Sequence, residues 1–262
     1  MLKKKPSRRI LGTVVSVGIV LVLIIAAALL ENMGGSKSST TSTPPAPPRG
    51  GPVASAAEIN GLLPKLKVSN ELPMTGYERD RFPHWDTEKP EHGFGDAFAK
   101  YSRCTTREVM LLRDAVGTVT LDPATCKFTI GKDSGWRDQY GVPDKKTNGL
   151  KPYKFITDSA GVDIDHIVAL AEAWRSGAAK WDDDHRRAVA NDALNLAPSD
   201  PTANRSKGDQ DPSTYIPPGN FRCGYIARYI QVKIKYDLNV DSKEQAAIQT
   251  AVKDCIDKGE FK

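Results

Sequence analysis

Asp163, Asp165 and His166 stand together in DIDHIVALAEAW, residues 163–174, directly ahead of a segment patterned for burial. A neutral imidazole, with an ordinary pKa near 6.5, takes a proton from water at neutral pH. The neighbouring Asp165 carboxylate is a hard oxygen donor suited to Mg2+ or Ca2+. Alone, a DxDH string reads as a helix N-cap followed by a surface histidine, because either aspartate can cap. A second stretch changes that reading. NDALNLAPSDPTANRSKGD, residues 191–209, gathers Asn191, Asn195 and Asn204 into a turn-rich segment, with Arg205 and Lys207 at once behind Asn204. Asparagines there also satisfy turns, but oxygen donors followed by two cations suit a metal-bound phosphate.

These residues need elements to position them. Asp163 to Asp165 fit the end of an extended segment, with His166 at its turn into a helix. Ile167, Leu170, Ala171 and Trp174 then share one apolar face, and Gly177 allows the helix to stop. Trp174 and Trp181 read as packing residues, Glu172 as a solvated helix residue, and Asp163 as an N-cap, a support for His166 or an auxiliary ligand. Upstream, EINGLLPKLK (58–67) suggests a short docking helix or turn, and 77–101 is loop-rich. Residues 105–114 regain helical spacing. Residues 116–121 and 126–130 alternate as two strands around the Asp122-Pro123 turn. A capping box at Asp241–Glu244 opens a final helix that ends near Gly259. Between 204 and 236, six Lys and Arg (205, 207, 222, 228, 233, 235) interleave with Tyr215, Phe221, Tyr225, Tyr229 and Tyr236. The cations suggest a nucleic-acid grip, while Tyr225, Tyr229 and Tyr236 at helical steps read as core.

The net charge of +5 says little about the folded part, because residues 1–57 hold seven basic residues against one acid, leaving 30 basic against 31 acidic residues beyond them. Five cations in residues 1–9 precede the uncharged run Ile10–Leu30, whose 21 residues match a hydrocarbon core of roughly 30 Å. Charge asymmetry puts residues 1–9 in the cytoplasm and the chain beyond the run outside. An anchor at 10–30 is expected, with cleavage near Ala26–Ala28 and secretion as the alternative. Residues 31–57, rich in Pro, Ser, Thr and Gly, cannot bury enough apolar surface to fold and read as a linker. The exported part holds Cys104, Cys126, Cys223 and Cys255, an even number that favours two disulfides. Of three connectivities, Cys104–Cys126 with Cys223–Cys255 closes a modest loop in each half.

DHIVAL, Asn195 and NRSKGD resemble the HNH endonucleases of the His-Me finger group, which share the ββα-metal fold. The nine-residue step from Asn195 to Asn204 and the NRxKxD ending are similar to the HNH domain of CRISPR effector nucleases. DIDHIVALAEAWRSGA, Trp181, NDALNL and NRSKGDQDPSTYIPP, with the upstream HWDTEKPEHG and CTTREVML, resemble the C-terminal domain of GmrSD-type restriction enzymes, and especially its exported actinobacterial type. The resemblance implies an α+β fold: one globular domain over 58–262 built around a ββα-metal core at about 155–215, with added helices and a β-hairpin. It implies His166 as the base that activates water, Asp165 and Asn204 as ligands of one divalent ion (Mg2+, with Mn2+ or Ca2+ as alternatives), and Asn195 as the residue that braces the loop and orients the histidine. Arg205 and Lys207 are then candidate phosphate contacts. The implied activity is weakly sequence-specific hydrolysis of nucleic acid, DNA first. A non-catalytic envelope module that binds nucleic acid or cell-wall polymer is the alternative. Nothing specifies a protein partner.

Overall fold

The computed structural model describes residues 54–152 and 155–261. The apolar run 10–30 and the linker up to residue 53 lie outside them, and among the described residues no helix is long and apolar enough to cross a membrane. The first helix, α1 (Ala56–Leu62), starts within the stretch read as linker, because Ser55 and Glu58 form a capping box there. A short strand β1 (Lys67–Val68) follows, then loops and 3-10 turns until α2 (Thr106–Asp114), where Glu108 accepts from the Thr105 N–H at 2.8 Å. The alternating residues beyond it form an antiparallel hairpin, β2 (Val119–Leu121) and β3 (Phe128–Ile130). A smaller hairpin, β4 (Pro143–Asp144) and β5 (Gly149–Leu150), precedes β6 (Asp163–His166). Next come α3 (Leu170–Arg175), α4 (Asp183–Asn191), β7 (Leu196–Ser199) and α5 (Pro201–Lys207). The chain closes with α6 (Arg222–Lys235), β8 (Asn239–Val240) and α7 (Ser242–Asp257). Helices with small sheets make an α+β architecture.

The hairpin of β6 and β7 is antiparallel, pairing Asp163 with Ser199, Asp165 with Ala197 and His166 with Leu196. Strand alternation puts Asp163 and Asp165 on one face and Ile164 and His166 on the other. Pro198 opposite Ile164 is tolerated because a two-stranded sheet has only edges. Asp200 caps α5 by accepting from the Thr202 N–H, with Pro201 at the first helical position. Strand, strand and helix thus follow as β6, β7 and α5, with α3 and α4 inserted between the strands.

Two apolar clusters hold this hairpin. Ile164 and Leu196 pack with Val109, Met110, Leu111 and Trp136, while Ala197 joins Ile167, Trp174 and the helices α6 and α7. The cysteines pair as Cys104–Cys126 and Cys223–Cys255, one bridge on each side. Two buried guanidiniums fasten the chain entering β7: Arg113 and Arg228 both donate to the carbonyls of Ala193 and Leu196, at 2.6 to 3.0 Å. Burial beside Arg113 lowers Arg228 to about 10, so it stays charged at neutral pH.

Several charged residues that the spacing placed in solvent are inside. Glu172 is fully buried, accepting from Lys233 Nζ (2.7 Å), Ser176 Oγ (2.5 Å) and Arg175 (2.7 Å). Lys233 also lies 3.0 Å from Glu244, so this cation joins α3, α6 and α7. The basic stretch from 204 to 236 is therefore not one surface: Lys207, Arg228 and Lys233 are buried, as are Tyr225 and Tyr229. Each is covered because its partners arrive from distant segments, which sequence spacing cannot display.

Candidate active site

His166 ends β6, and its ring is fixed by α4. Nε2 lies 2.9 Å from the Ala190 carbonyl. A carbonyl can only accept, so Nε2 carries the hydrogen and Nδ1 keeps its lone pair. Burial lowers the pKa of His166 to about 3; the bond to Ala190 opposes this, and electrostatic interactions with Arg79, His84 and Lys207 add to it. The ring is therefore neutral at neutral pH. Trp85 stacks over it, with centroids 5.9 Å apart and planes at 18°, and His84 meets it edge-on at 5.9 Å. His166 is 3% exposed, yet it lines a cleft of about 270 Å³ together with Tyr77, Arg79, Asp165, Asn204 and Arg205.

Asp165 is buried, and both oxygens have a fixed donor. Tyr140 donates its hydroxyl to Oδ2 at 2.5 Å and Lys207 its ammonium to Oδ1 at 3.0 Å. Burial raises the Asp165 carboxyl, and Lys207 and Tyr140 pull it back down. Tyr140 is held from behind, since Gly219 donates its N–H to the Tyr140 carbonyl at 2.6 Å and a Cβ at Gly219 would lie 2.7 Å from that oxygen. Lys207 also donates to the His166 carbonyl at 2.8 Å. Its ammonium thus faces inward, which corrects the expectation that Lys207 contacts phosphate. Arg205, one residue beyond Asn204, is exposed and lines the cleft.

Asn204 donates Nδ2–H to Asp163 Oδ2 at 3.1 Å. Because a carboxylate accepts, this bond fixes the amide and leaves the Asn204 carbonyl oxygen as the atom without a partner among the described residues. Asp163 therefore orients Asn204 and does not touch His166 through any hydrogen bond given by the structure. The donors offered to the cleft, a carboxylate and an amide carbonyl, are both hard oxygens. Each Asp165 oxygen keeps a second lone pair beyond its hydrogen bond. Such a set fits a hard divalent cation, with water and substrate oxygens completing the shell.

Asn195 is fully buried and lines no part of the cleft. Its Oδ1 accepts from the Val168 N–H at 2.8 Å, its Nδ2 donates to the Val189 carbonyl at 3.1 Å, and its own carbonyl accepts from the Ile167 N–H at 2.7 Å. These bonds occupy the backbone just past His166, so α3 begins at Leu170 instead of at Ile167. They also tie that backbone to α4 next to Ala190, the residue that holds the imidazole.

Sequence reasoning missed Tyr140, Tyr77, Arg79, His84, Trp85 and the Ala190 carbonyl. His84 and Trp85 open the HWDTEKPEHG stretch, so a signal was present, although loop composition hid its placement over the imidazole.

Residues 134–251 match the family described as GmrSD restriction endonucleases, C-terminal domain. An uncharacterized secreted protein of Arthroderma benhamiae is 36% identical over 209 residues, which is 78% of this chain and 87% of that protein. No solved structure matches the chain. The matched span contains the β6–β7 hairpin, α5 and every donor around Asp165 and Asn204. The chain belongs to the family of GmrSD restriction endonuclease C-terminal domains.

Proposed function

We propose that this chain is a divalent-metal-dependent endonuclease that hydrolyses phosphodiester bonds of nucleic acid, DNA first and with little sequence preference. The observation that carries it is the hydrogen bond from His166 Nε2 to the Ala190 carbonyl, which reserves the Nδ1 lone pair for a base in a cleft shared with Asp165 and Asn204. Family membership supports a nuclease, and a nuclease implies a nucleic-acid substrate.

In this reading His166 Nδ1 receives the proton of the attacking water. A pKa of about 3 makes a weak base in the free protein, but an anionic phosphate beside the ring favours the imidazolium and raises that value as the substrate binds. Asp165 and Asn204 would hold the ion, which supplies charge stabilisation to the phosphoryl oxygens when bound. Lys207 and Tyr140 fix the Asp165 carboxylate, Asp163 fixes the Asn204 amide, and Asn195 with Ala190 fixes the imidazole. Removing a general base costs about 10²–10⁴ in rate.

The domain acts outside the membrane in this proposal. Residues 10–30 would direct export, either as an anchor or as a segment cleaved to release the domain, and the relative named as secreted fits the second. The test incubates the full-length protein with supercoiled, linear and single-stranded DNA and with RNA, across Mg2+, Mn2+ and Ca2+, beside His166→Ala. Metal-stimulated cleavage lost in His166→Ala is expected. Absence of cleavage under every condition removes the reading in favour of a binding module.

A further inference from the structure

We propose that Arg79, from a turn upstream of the family-matched span, forms with Arg205 a two-sided guanidinium clamp for a nucleic-acid phosphate in the cleft. The proposal rests on the nuclease reading above and adds a binding residue to it.

Arg79 and Arg205 both line the cleft, with His166 and Asn204. Neither has a hydrogen-bond or salt-bridge partner among the described residues. The two carboxylates that line the same cleft already have cations: Asp165 pairs with Lys207 at 3.0 Å, and Asp209 with Arg175 at 3.1 Å. Arg79 and Arg205 are thus cations on the cleft without a carboxylate partner among the described residues, and an anion suits the space they share. A guanidinium presents a planar fork that matches two phosphate oxygens, and two forks suit one phosphate or two successive ones.

The backbone under Arg79 is fixed, so the point from which its side chain reaches the cleft is set before binding. Phe82 is fully buried and donates its N–H to the Arg79 carbonyl at 3.0 Å. Helix α4 then fastens the following residues: Arg186 donates to the Arg81 carbonyl (3.0 Å), Asn191 to the Pro83 carbonyl (2.9 Å), and Arg187 to the Asp86 carboxylate (2.7 Å). The Asp86 N–H donates back to Asn191 Oδ1 at 2.9 Å. The same helix supplies the Ala190 carbonyl that orients His166, so one element sets both the base and the strap carrying Arg79.

The test measures binding apart from cleavage. Full-length protein carrying His166→Asn, without added metal, is titrated with a labelled DNA duplex by fluorescence anisotropy at several salt concentrations. Arg79→Gln is compared with Arg205→Gln, Arg79→Lys and Lys253→Gln, the last removing an equal charge from the exposed side of α7. Each phosphate contact contributes about 0.9 to the slope of log affinity against log salt. Arg79→Gln and Arg205→Gln should each flatten the slope by about that amount. Arg79→Lys should retain the slope with weaker binding, and Lys253→Gln should leave both unchanged. Inorganic phosphate at millimolar concentration should compete weakly; competition as strong as that of unlabelled duplex would assign the clamp to free phosphate and overturn a nucleic-acid role. An unchanged slope in Arg79→Gln, or an equal change in Lys253→Gln, overturns the clamp even where the wild type cleaves DNA. A flattened slope beside a wild type that cleaves nothing keeps the clamp and removes the nuclease reading.

Discussion

Lys207 Nζ lies 3.0 Å from Asp165 Oδ1, with neither side chain open to bulk solvent. Removing one member of a buried ion pair leaves the other charge uncompensated and costs about 3–5 kcal/mol. Lys207→Met should therefore lower stability by that order, read as the shift of the urea unfolding midpoint. Because the ammonium faces the protein, Lys207→Arg or Lys207→Met chains that remain folded should bind DNA with an unaltered salt slope. A flatter slope would return Lys207 to the phosphate and refute the inward assignment.

The amide of Asn204 is aimed by Asp163, through Nδ2 and Oδ2 at 3.1 Å. Partners that orient a ligand typically change metal affinity by about 10–100-fold when removed. Asp163→Ala should weaken Mn2+ or Mg2+ binding by that factor, measured by calorimetry on a His166→Ala chain so that turnover does not interfere. Asn204→Ala should weaken it at least as much. Equal affinities across these chains would exclude Asn204 as a ligand.

The same residues show which parts of the molecule the sequence displays. Asp163, Asp165, His166 and Asn204 stood out as candidates in DIDH and NRSKGD, and it was the resemblance to HNH endonucleases that joined the two stretches, which meet here through the Asn204–Asp163 bond. The helices α2 and α7 and the β2–β3 hairpin were legible through caps and periodicity, which are local patterns. Strand β7 was not: Leu196–Ser199 contains Pro198, which only an edge position tolerates, so the stretch reads as turn. The inward positions of Lys207, Glu172 and Lys233 depend on partners 42 and 61 residues away. Charge alone predicts solvent for all three. Arg79 and Trp85 belong to a loop whose path follows from hydrogen bonds to α4, and no periodicity encodes that.

Asn195 holds the backbone just past His166 without lining the cleft. Asn195→Ala orphans the Val168 N–H and the Val189 carbonyl, at a cost of about 2–4 kcal/mol for two buried groups. Displacement of the backbone after His166 should lower kcat while KM stays near its wild-type value, because no substrate-facing group is removed. Asn195→Asp, which keeps the acceptor for Val168, should recover part of the lost stability. A rise in KM with unchanged kcat would instead give Asn195 a direct role in binding.

His166 gives the fold a pH dependence of known sign. Its pKa falls from an ordinary value near 6.5 to about 3 on folding. Between those values the unfolded chain binds the proton and the folded chain does not, so stability declines as pH drops through this window and is unaffected by His166 above it. The slope from one such group reaches about 1.4 kcal/mol per pH unit. His166→Gln, which can still donate to the Ala190 carbonyl, removes this term. The difference in unfolding free energy between wild type and His166→Gln should be flat from pH 7 to 8 and shift against the wild type from pH 6 towards 4. The free enzyme should likewise show no ionisation of its base near 6.5 in the profile of kcat/KM. Parallel stability curves together with a kinetic pKa near 6.5 would mean that the imidazole is solvated, and would undo the argument that α4 holds it neutral.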